Sequence, residues 1–209
     1  MPARQQLEGS LEDQRRWRAS YVDDVDAIHA FLGVDGIAVA ARRVAVIDSG
    51  DGILALGLAQ RLGAAQVAGF DDEGCNTVTL ATWAGWYSGS AQLPAHLRFV
   101  GTRPYEIPGE PGGYDLAVWW GDIGTRRDPV RVLREVRRLL APQAHVLLRV
   151  PPNGSPGLDE LQHAVLAAGL APARVEVDAA TVRPDLEQRA QPLNALATRG
   201  ARMLAYRVE

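Results

Sequence analysis

Lysine is absent from this chain of 209 residues, and all 22 of its basic residues are arginine. The absence excludes a catalytic lysine, a Schiff base and a lysine-containing phosphate loop, because each of these needs an amine. A single cysteine, Cys75, excludes a disulfide framework and a cysteine-based zinc site. One free thiol suits a reducing cytosol, and arginine in place of lysine beside abundant alanine is typical of GC-rich bacterial genomes. We therefore expect a bacterial, cytoplasmic protein.

Long hydrophobic runs and a strong charge of either sign are also missing. The longest apolar runs, such as 37–41 and 116–120, are too short to cross a bilayer, and the N-terminus has no secretory pattern. A net charge of −3 gives no general attraction to nucleic acid or to anionic membrane, so neither partner is expected. No pair of His, Asp or Glu has convincing metal-ligand spacing, so no metal is predicted.

The length and a hydrophobic content of 47% fit one domain with a substantial core. An apolar stripe within 10–32 predicts an amphipathic helix that ends at Gly33. We expect a single domain over 1–209, with an N-terminal helical segment (1–33), a ligand-binding core (43–150) and a C-terminal part of the sheet (151–209).

Strand and helix patterns alternate from residue 43 onward. The predicted strands are 44–47, 66–70, 97–100, 114–119, 144–150, 174–177 and 203–208. The predicted helices between them are 54–62, 77–87, 129–140 and 158–170. This alternation predicts an α/β fold with a doubly wound, mostly parallel seven-stranded sheet and helices on both faces. In such sheets ligands bind beyond the carboxyl ends of the strands, here after the first, second and fourth.

The strongest local signal is the turn Asp48-Ser49-Gly50-Asp51-Gly52, where a buried strand meets a helix. Gly50 and Gly52 allow a tight turn and the close approach of a ligand to the backbone. The segment 50–55 also fits the G-x-G-x-x-A pattern of NAD-binding proteins, with acids about twenty residues further on. Asp48 and Asp51 argue against a dinucleotide, because they place two carboxylates where a pyrophosphate would lie.

The same turn resembles the first motif of class I S-adenosylmethionine-dependent methyltransferases, acid-x-Gly-x-Gly, at Asp48, Gly50 and Gly52. The family's ribose-binding acid at the end of strand two corresponds to Asp71. Further similarity lies in 114–120 and in 128–142, so the resemblance spans roughly 31–150. It implies a Rossmann-like fold, S-adenosylmethionine as cofactor and transfer of a methyl group to a small-molecule acceptor. Asp48, Gly50, Gly52, Asp71 and, beyond strand three, Thr102 are then the cofactor-binding residues.

Two positions depart from the family pattern. The acid that often meets the adenine amine falls at or near Thr102 or Arg103, and an acid–His pair after strand four is replaced by Gly124 and Thr125. These departures motivate a second hypothesis, a non-catalytic methyltransferase-like protein that serves binding or assembly. A nicotinamide enzyme ranks third because of the acidic turn.

An acceptor that starts as a hydroxyl needs a base. Asp122, after strand four, and His29, near the end of the first helix, are the candidates. Trp119 and Trp120 face opposite sides of the fourth strand, so we expect one in the core and the other near a substrate. The aromatic residues of helix 77–87 suit a homodimer face if they are exposed.

Overall fold

A computed structural model describes residues 19–71, 81, 92–103, 105–121, 123, 128–150, 157–177 and 201–208. A π-helical turn, Ala19–Asp24, leads into the first helix. The helices are α1 (Val25–Gly33), α2 (Ile37–Ala40), α3 (Ile53–Arg61), α4 (Pro129–Leu139) and α5 (Leu158–Ala167). The strands are β1 (Arg43–Ile47), β2 (Gln66–Asp71), β3 (Leu97–Gly101), β4 (Tyr114–Trp119), β5 (Leu140–Val150), β6 (Leu170–Val177) and β7 (Ala201–Arg207).

The seven strands form one sheet in the order β3-β2-β1-β4-β5-β7-β6. The first five strands pair in parallel, while β7 runs antiparallel to both β5 and β6. The strand order reverses between β1 and β4, which is where a doubly wound sheet opens a crevice at its carboxyl edge. The predicted α/β class and the mostly parallel seven-stranded sheet are confirmed.

Both faces of the sheet are buried against apolar side chains. One core lies on the side of α4 and α5, and the other on the side of α1, α2 and α3. Neighbouring residues of a strand point to opposite faces, so Trp119 belongs to the first core and Trp120 to the second. Both rings are buried, with 1% and 8% of their surface exposed. The expectation that one of them lies in the core is therefore confirmed, and the other is nearly as buried.

Helix α4 begins where its residue types predict. The Asp128 carboxylate accepts a hydrogen bond from the amide of Arg131 at 3.0 Å, and Pro129 occupies the first turn, where no amide hydrogen is needed. Its buried residues form an apolar stripe at helical spacing: Val132, Leu133, Val136 and Leu139. The end of β4 and the start of α4 are thereby fixed on the same edge of the sheet.

The ends of three elements, β5, α5 and β6, were predicted wrongly, and β6 starts at Leu170 rather than at 174. Strand β5 starts at Leu140 rather than at 144, because Leu140 already pairs with Tyr114 through a bulge. Helix α5 ends at Ala167 rather than at 170, since Gly169 adopts a left-handed φ of 79° and Leu170 begins β6. Helix α2 was not predicted. Residues 10–18 and, apart from Ala81, the predicted helix 77–87 lie outside the described residues.

Candidate functional site

The turn after β1 is built from three residues with left-handed backbone. The φ angles are 52° at Asp48, 53° at Gly50 and 79° at Gly52. Glycine adopts this conformation freely, whereas aspartate does so at a cost in free energy. The chain thus leaves the strand in a tight turn and enters α3 with its backbone amides close to the carboxyl edge of the sheet.

Asp71, the last residue of β2, joins this turn directly. Its Oδ2 accepts a hydrogen bond from the amide of Gly50 at 2.6 Å. The amide of Ser49 donates to the carbonyl of Phe70 at 2.9 Å, which continues the pairing of β1 with β2 into the turn. Sequence positions 50 and 71 therefore meet at one point.

The N-terminus of α3 is the third part of the site. The Asp51 Oδ1 accepts from the amide of Ile53 at 3.2 Å, and the carbonyl of Gly52 accepts from the amide of Leu56 at 3.0 Å. Asp51 thus satisfies an amide of the first turn that the helix itself leaves without a partner.

Thr102 follows β3 and lies beside Asp71, whose carbonyl accepts a hydrogen bond from the Thr102 amide at 2.9 Å. A narrow cleft next to these residues is lined by Ile47, Asp48, Phe70, Thr102, Arg103, Tyr105, Ile107 and Val132. The guanidinium of Arg131 lies over the Tyr105 ring, 4.9 Å from its centre. The five predicted cofactor-binding residues are therefore brought together at the ends of three neighbouring strands.

The structure shows no contact between these five residues and the two predicted bases among the described residues. Asp122 lies outside the described residues. His29 is exposed on α1, and its imidazole has no hydrogen bond or ion pair to any residue that is described. Their roles remain predictions.

The other histidines lie away from this turn in different settings. His96 is half-buried and its Nε2 lies 3.0 Å from the carbonyl oxygen of Ala59. His163 is exposed on α5. His145 is half-buried on β5, and this burial lowers its pKa, while the charge of Asp35 acts in the opposite direction.

Several polar groups around the turn were missed by sequence reasoning. The Oγ of Ser49 and the indole N–H groups of Trp119 and Trp120 are buried with no hydrogen-bond partner in the described part of the chain. A Cβ built on Gly69 would lie 2.9 Å from that Oγ and 2.7 Å from the Phe99 ring. The only sequence signal for this close approach is a glycine inside an apolar strand. Among the described residues, no group of three or more His, Cys, Asp or Glu could hold a metal ion.

Solved structures with this architecture are numerous. A methyltransferase from Aquifex aeolicus is 15% identical, with a TM-score of 0.63 over 91% of this chain and 93% of that one. The 1,6-didemethyltoxoflavin N1-methyltransferase of Burkholderia thailandensis, solved with S-adenosylhomocysteine, is 19% identical, with a TM-score of 0.61 over 99% and 88%. The [4+2]-cyclase SpnF is 17% identical, with a TM-score of 0.63 over 88% and 80%.

These similarities define the fold. The chain has the Rossmann-like fold of class I S-adenosylmethionine-dependent methyltransferases. No protein-family model matches the sequence, and no curated protein matches it. Within the described residues, no helix is long and apolar enough to span a membrane.

Proposed function

We propose that this protein is a methyltransferase that binds S-adenosylmethionine and transfers its methyl group to a small molecule. The observation that carries the proposal is the contact between the Asp71 carboxylate and the Gly50 amide, 2.6 Å apart. This contact brings together the two parts of the family pattern, the acid that corresponds to the ribose-binding residue and the glycine turn. The fold around them is that of the family.

The charges of the site favour this cofactor over a dinucleotide. Asp48, Asp51 and Asp71 are three carboxylates within one turn and the adjoining strand end. S-adenosylmethionine carries a sulfonium and an ammonium, which nearby carboxylates attract, whereas a pyrophosphate would be repelled. Asp71 also offers an acceptor to ribose hydroxyls, which are donors.

The residues present fit the cofactor, which supplies an electrophilic methyl group when bound. Asp71 would hold the ribose, Gly50 and Gly52 would let the ligand approach the backbone, and Asp48 would face its cationic part. Thr102 would lie beside the base. Holding donor and acceptor in line can contribute up to roughly 7–11 kcal/mol to such a displacement. Asp122 and His29 remain the candidate bases for a hydroxyl acceptor.

The narrow cleft beside Thr102 would have to widen before it could hold the adenine base of the cofactor. Its volume is about 20 Å³, which is smaller than a purine base. Arg103 is exposed and Tyr105 half-buried, so these side chains would have to turn outward to admit the base. The base would then pack between Phe70 and Val132.

Calorimetric titration tests the proposal. We expect S-adenosylmethionine and S-adenosylhomocysteine to bind with micromolar affinity, and NADH to produce no heat. Folded protein that binds neither sulfur compound would overturn the proposal, and binding of NADH alone would revive the oxidoreductase hypothesis.

A binding or assembly protein without methyltransferase activity remains the second candidate. It is favoured by Thr102 and Arg103 standing where the family often has an acid, since arginine accepts no hydrogen bond. The similarity to a [4+2]-cyclase also illustrates that this fold serves another reaction. Cofactor binding without methyl transfer to any of a broad set of acceptors would support this second candidate.

A further inference from the structure

The loop after β3 holds an aromatic residue in an unfavourable backbone conformation. Tyr105 has a φ of 64°, in the left-handed region that bulky side chains rarely adopt. The amides of Arg103 and Glu106 donate to each other's carbonyls at 3.2 and 3.0 Å, and Tyr105 lies within the turn that these bonds close. Glycine would occupy such a position without strain. The observed conformation persists because contacts of the Tyr105 side chain outweigh its cost.

Those contacts hold the ring at the narrow cleft of the proposed cofactor site. Tyr105 is half-buried and packs against the core that contains Phe70 and Val132. These two residues and Tyr105 all line the cleft, whose volume is about 20 Å³. The Tyr105 ring therefore borders the space between Phe70 and Val132 that the adenine base would need, and in this conformation that space is too small for a purine.

A cation covers the Tyr105 ring. The Cζ of Arg131 lies 4.9 Å from the ring centre, which is within the range of a cation–π interaction. Arg131 is the third residue of α4, where the helix dipole disfavours a positive charge, and no carboxylate of the described residues forms an ion pair with its guanidinium. Asp128 accepts a hydrogen bond from the Arg131 amide instead. The ring is thus the partner that the described structure gives to this guanidinium.

The loop separates the narrow cleft from a surface groove. Thr102, Arg103 and Ile107 line both the cleft and the groove, so this part of the chain is the wall between them. The wall is anchored at its two ends. The Thr102 amide donates to the Asp71 carbonyl at 2.9 Å, and Arg138 donates to the Ile107 carbonyl at 2.6 Å.

The tip of the loop, 103–106, is held less firmly than these ends. Its backbone hydrogen bonds to described residues are the two between Arg103 and Glu106, so the tip is bonded to itself. The side chains of Arg103 and Glu106 are exposed, and the contacts of the tip with the core and with Arg131 come from Tyr105. The tip can therefore move into the groove without breaking a backbone hydrogen bond to the sheet.

We propose that Tyr105, held by Arg131, closes the base end of the cofactor cleft and that the loop tip moves outward when the cofactor binds. Tyr105 then limits the association rate and the affinity of the cofactor, because apparent affinity falls with the fraction of protein in the binding-competent form. Arg131 is a positioning residue, since it acts through the ring. The inference rests on the proposed function, which names the cofactor whose base enters the cleft.

Tyr105→Gly removes the ring and relieves the left-handed backbone in one step. S-adenosylhomocysteine should bind this variant about tenfold more tightly, and the gain should lie in the association rate. Calorimetry and stopped-flow fluorescence measure the two quantities. Tyr105→Phe keeps the ring and should restore the slow association. Equal or weaker binding by a folded Tyr105→Gly protein would mean that the ring does not exclude the base, and it overturns the proposal.

Arg131→Gln tests the hold on the ring in a protein whose loop sequence is unchanged. Loss of an exposed cation–π contact should make the association of S-adenosylhomocysteine about threefold faster. The matched control is Arg134→Gln, which removes the same charge from the exposed side of α4, where the Arg134 guanidinium donates to the Ala167 carbonyl at 3.3 Å. Equal association rates in the two variants mean that the charge of the helix, and not the ring, governs association, and they overturn the proposal.

NMR follows the movement of the ring directly. The ring current of Tyr105 should shift the Cδ–H signals of Arg131 in the ligand-free protein, and Tyr105→Gly should abolish this shift. Addition of S-adenosylhomocysteine to the unchanged protein should remove the same shift as the ring leaves the guanidinium. A shift that persists in the complex means that the base enters with the ring in place, and it overturns the proposal.

The same proteins separate this inference from the proposed function. If S-adenosylhomocysteine binds the unchanged protein, Tyr105→Gly and Arg131→Gln at one rate, the methyltransferase proposal stands and the closing role of Tyr105 is overturned. If it binds none of them, even with the ring removed, the proposed function fails and the inference falls with it. Binding that is detected in Tyr105→Gly but not in the unchanged protein supports both.

Discussion

Two aspartates at opposite edges of the sheet use their carboxylates differently. Asp115, near the amino end of β4, accepts hydrogen bonds from the amides of Arg42 and Arg43 and from the Arg43 guanidinium, at 3.1, 2.9 and 3.2 Å. Burial alone would raise the pKa of Asp115, but these bonds hold it below the usual value. Asp71, at the carboxyl end of β2, accepts a hydrogen bond from the Gly50 amide of the turn.

The two edges of the sheet also differ in cavity size, and the larger cavity is not the one at the proposed cofactor site. The amino edge holds a cavity of about 390 Å³ lined by Asp35, Asp115, Gln143 and His145 among others, whereas the cleft beside Asp71 measures about 20 Å³. The acids of the larger cavity already have partners, Arg43 for Asp115 and Arg174 for Asp35, at 3.2 and 3.0 Å. Among the described residues, the Ser49 Oγ and the Trp120 indole N–H at the carboxyl edge are buried without a hydrogen-bond partner, and so are the Nε atoms of Arg174 and Arg207 toward the amino edge. Neither cavity size nor unmet hydrogen bonds alone therefore identifies the functional edge.

Asp71→Asn should have the largest effect of the substitutions that distinguish the two edges. The change removes the negative charge that would accept the ribose hydroxyls, so the affinity for S-adenosylhomocysteine should fall about a hundredfold. The amide oxygen of asparagine can still accept from Gly50, so the Tm should change little. Calorimetry and thermal denaturation measure the two effects.

Asp51→Asn is the matched control for this change. It removes the same charge from the same turn, and its oxygen can still accept from the Ile53 amide. Affinity should stay within a few-fold of the unchanged protein. An equal loss in both variants would mean that the charge of the turn, and not the position of Asp71, governs binding.

Asp115→Ala should have the opposite effects, a loss of stability with no change in cofactor affinity. Two backbone amides and one guanidinium edge lose their acceptor, which should lower the free energy of unfolding by about 2 kcal/mol. Urea denaturation measures this loss, and cofactor affinity should remain unchanged. Weakened cofactor binding in a folded Asp115→Ala protein would contradict the division between the two edges.

Gly69→Ala tests the support under the turn, with a smaller expected effect. The new Cβ would meet the Phe99 ring at 2.7 Å and the Ser49 Oγ at 2.9 Å. Overpacking of this kind should cost about 1.5 kcal/mol of stability. Because Ser49 belongs to the turn, cofactor affinity should fall as well. Gly33→Ala, where a Cβ would meet nothing within 4 Å, is the control in denaturation and calorimetry.

Local patterns predicted most of the fold. Apolar runs bounded by glycine and proline gave the core of all seven strands, and the Asp128-Pro129 start of α4 was visible in the residue types. The extension of β5 back to Leu140 was not, because the segment that contains Pro142 and Gln143 has the composition of a turn and pairs with β4 only across a bulge. Pairing with a distant strand decided that boundary.

The candidate site was predictable only in part for the same reason. Asp48, Gly50, Gly52 and Asp71 follow a spacing that a sequence displays. The contact of Trp120 with Arg149 depends on which strands are neighbours and on their register, since Trp120 follows β4 and Arg149 lies on β5. The approach of the Asp35 charge to His145 was equally hidden, since these residues are distant in the chain.

His145 should give the amino edge a pH dependence, the smallest of the expected effects. Burial lowers its pKa from the ordinary 6.5, although the charge of Asp35 opposes this. The unfolded chain therefore binds a proton at a higher pH than the folded chain. The contribution of His145 to stability is present above about pH 6.5 and is lost as the pH falls through its folded pKa.

Urea denaturation between pH 8 and pH 5 measures this slope, which His145→Gln should reduce. His163→Gln is the control, because His163 is exposed on α5. The contribution of Asp115 has the same sign but is lost only below its unfolded value of about 3.8, so it leaves this interval undisturbed. Cofactor affinity should follow neither histidine, since both lie away from the turn at Asp48 and Asp71. If His145→Gln instead changes the pH dependence of cofactor binding, the two edges of the sheet are coupled and the amino-edge cavity is part of the functional site.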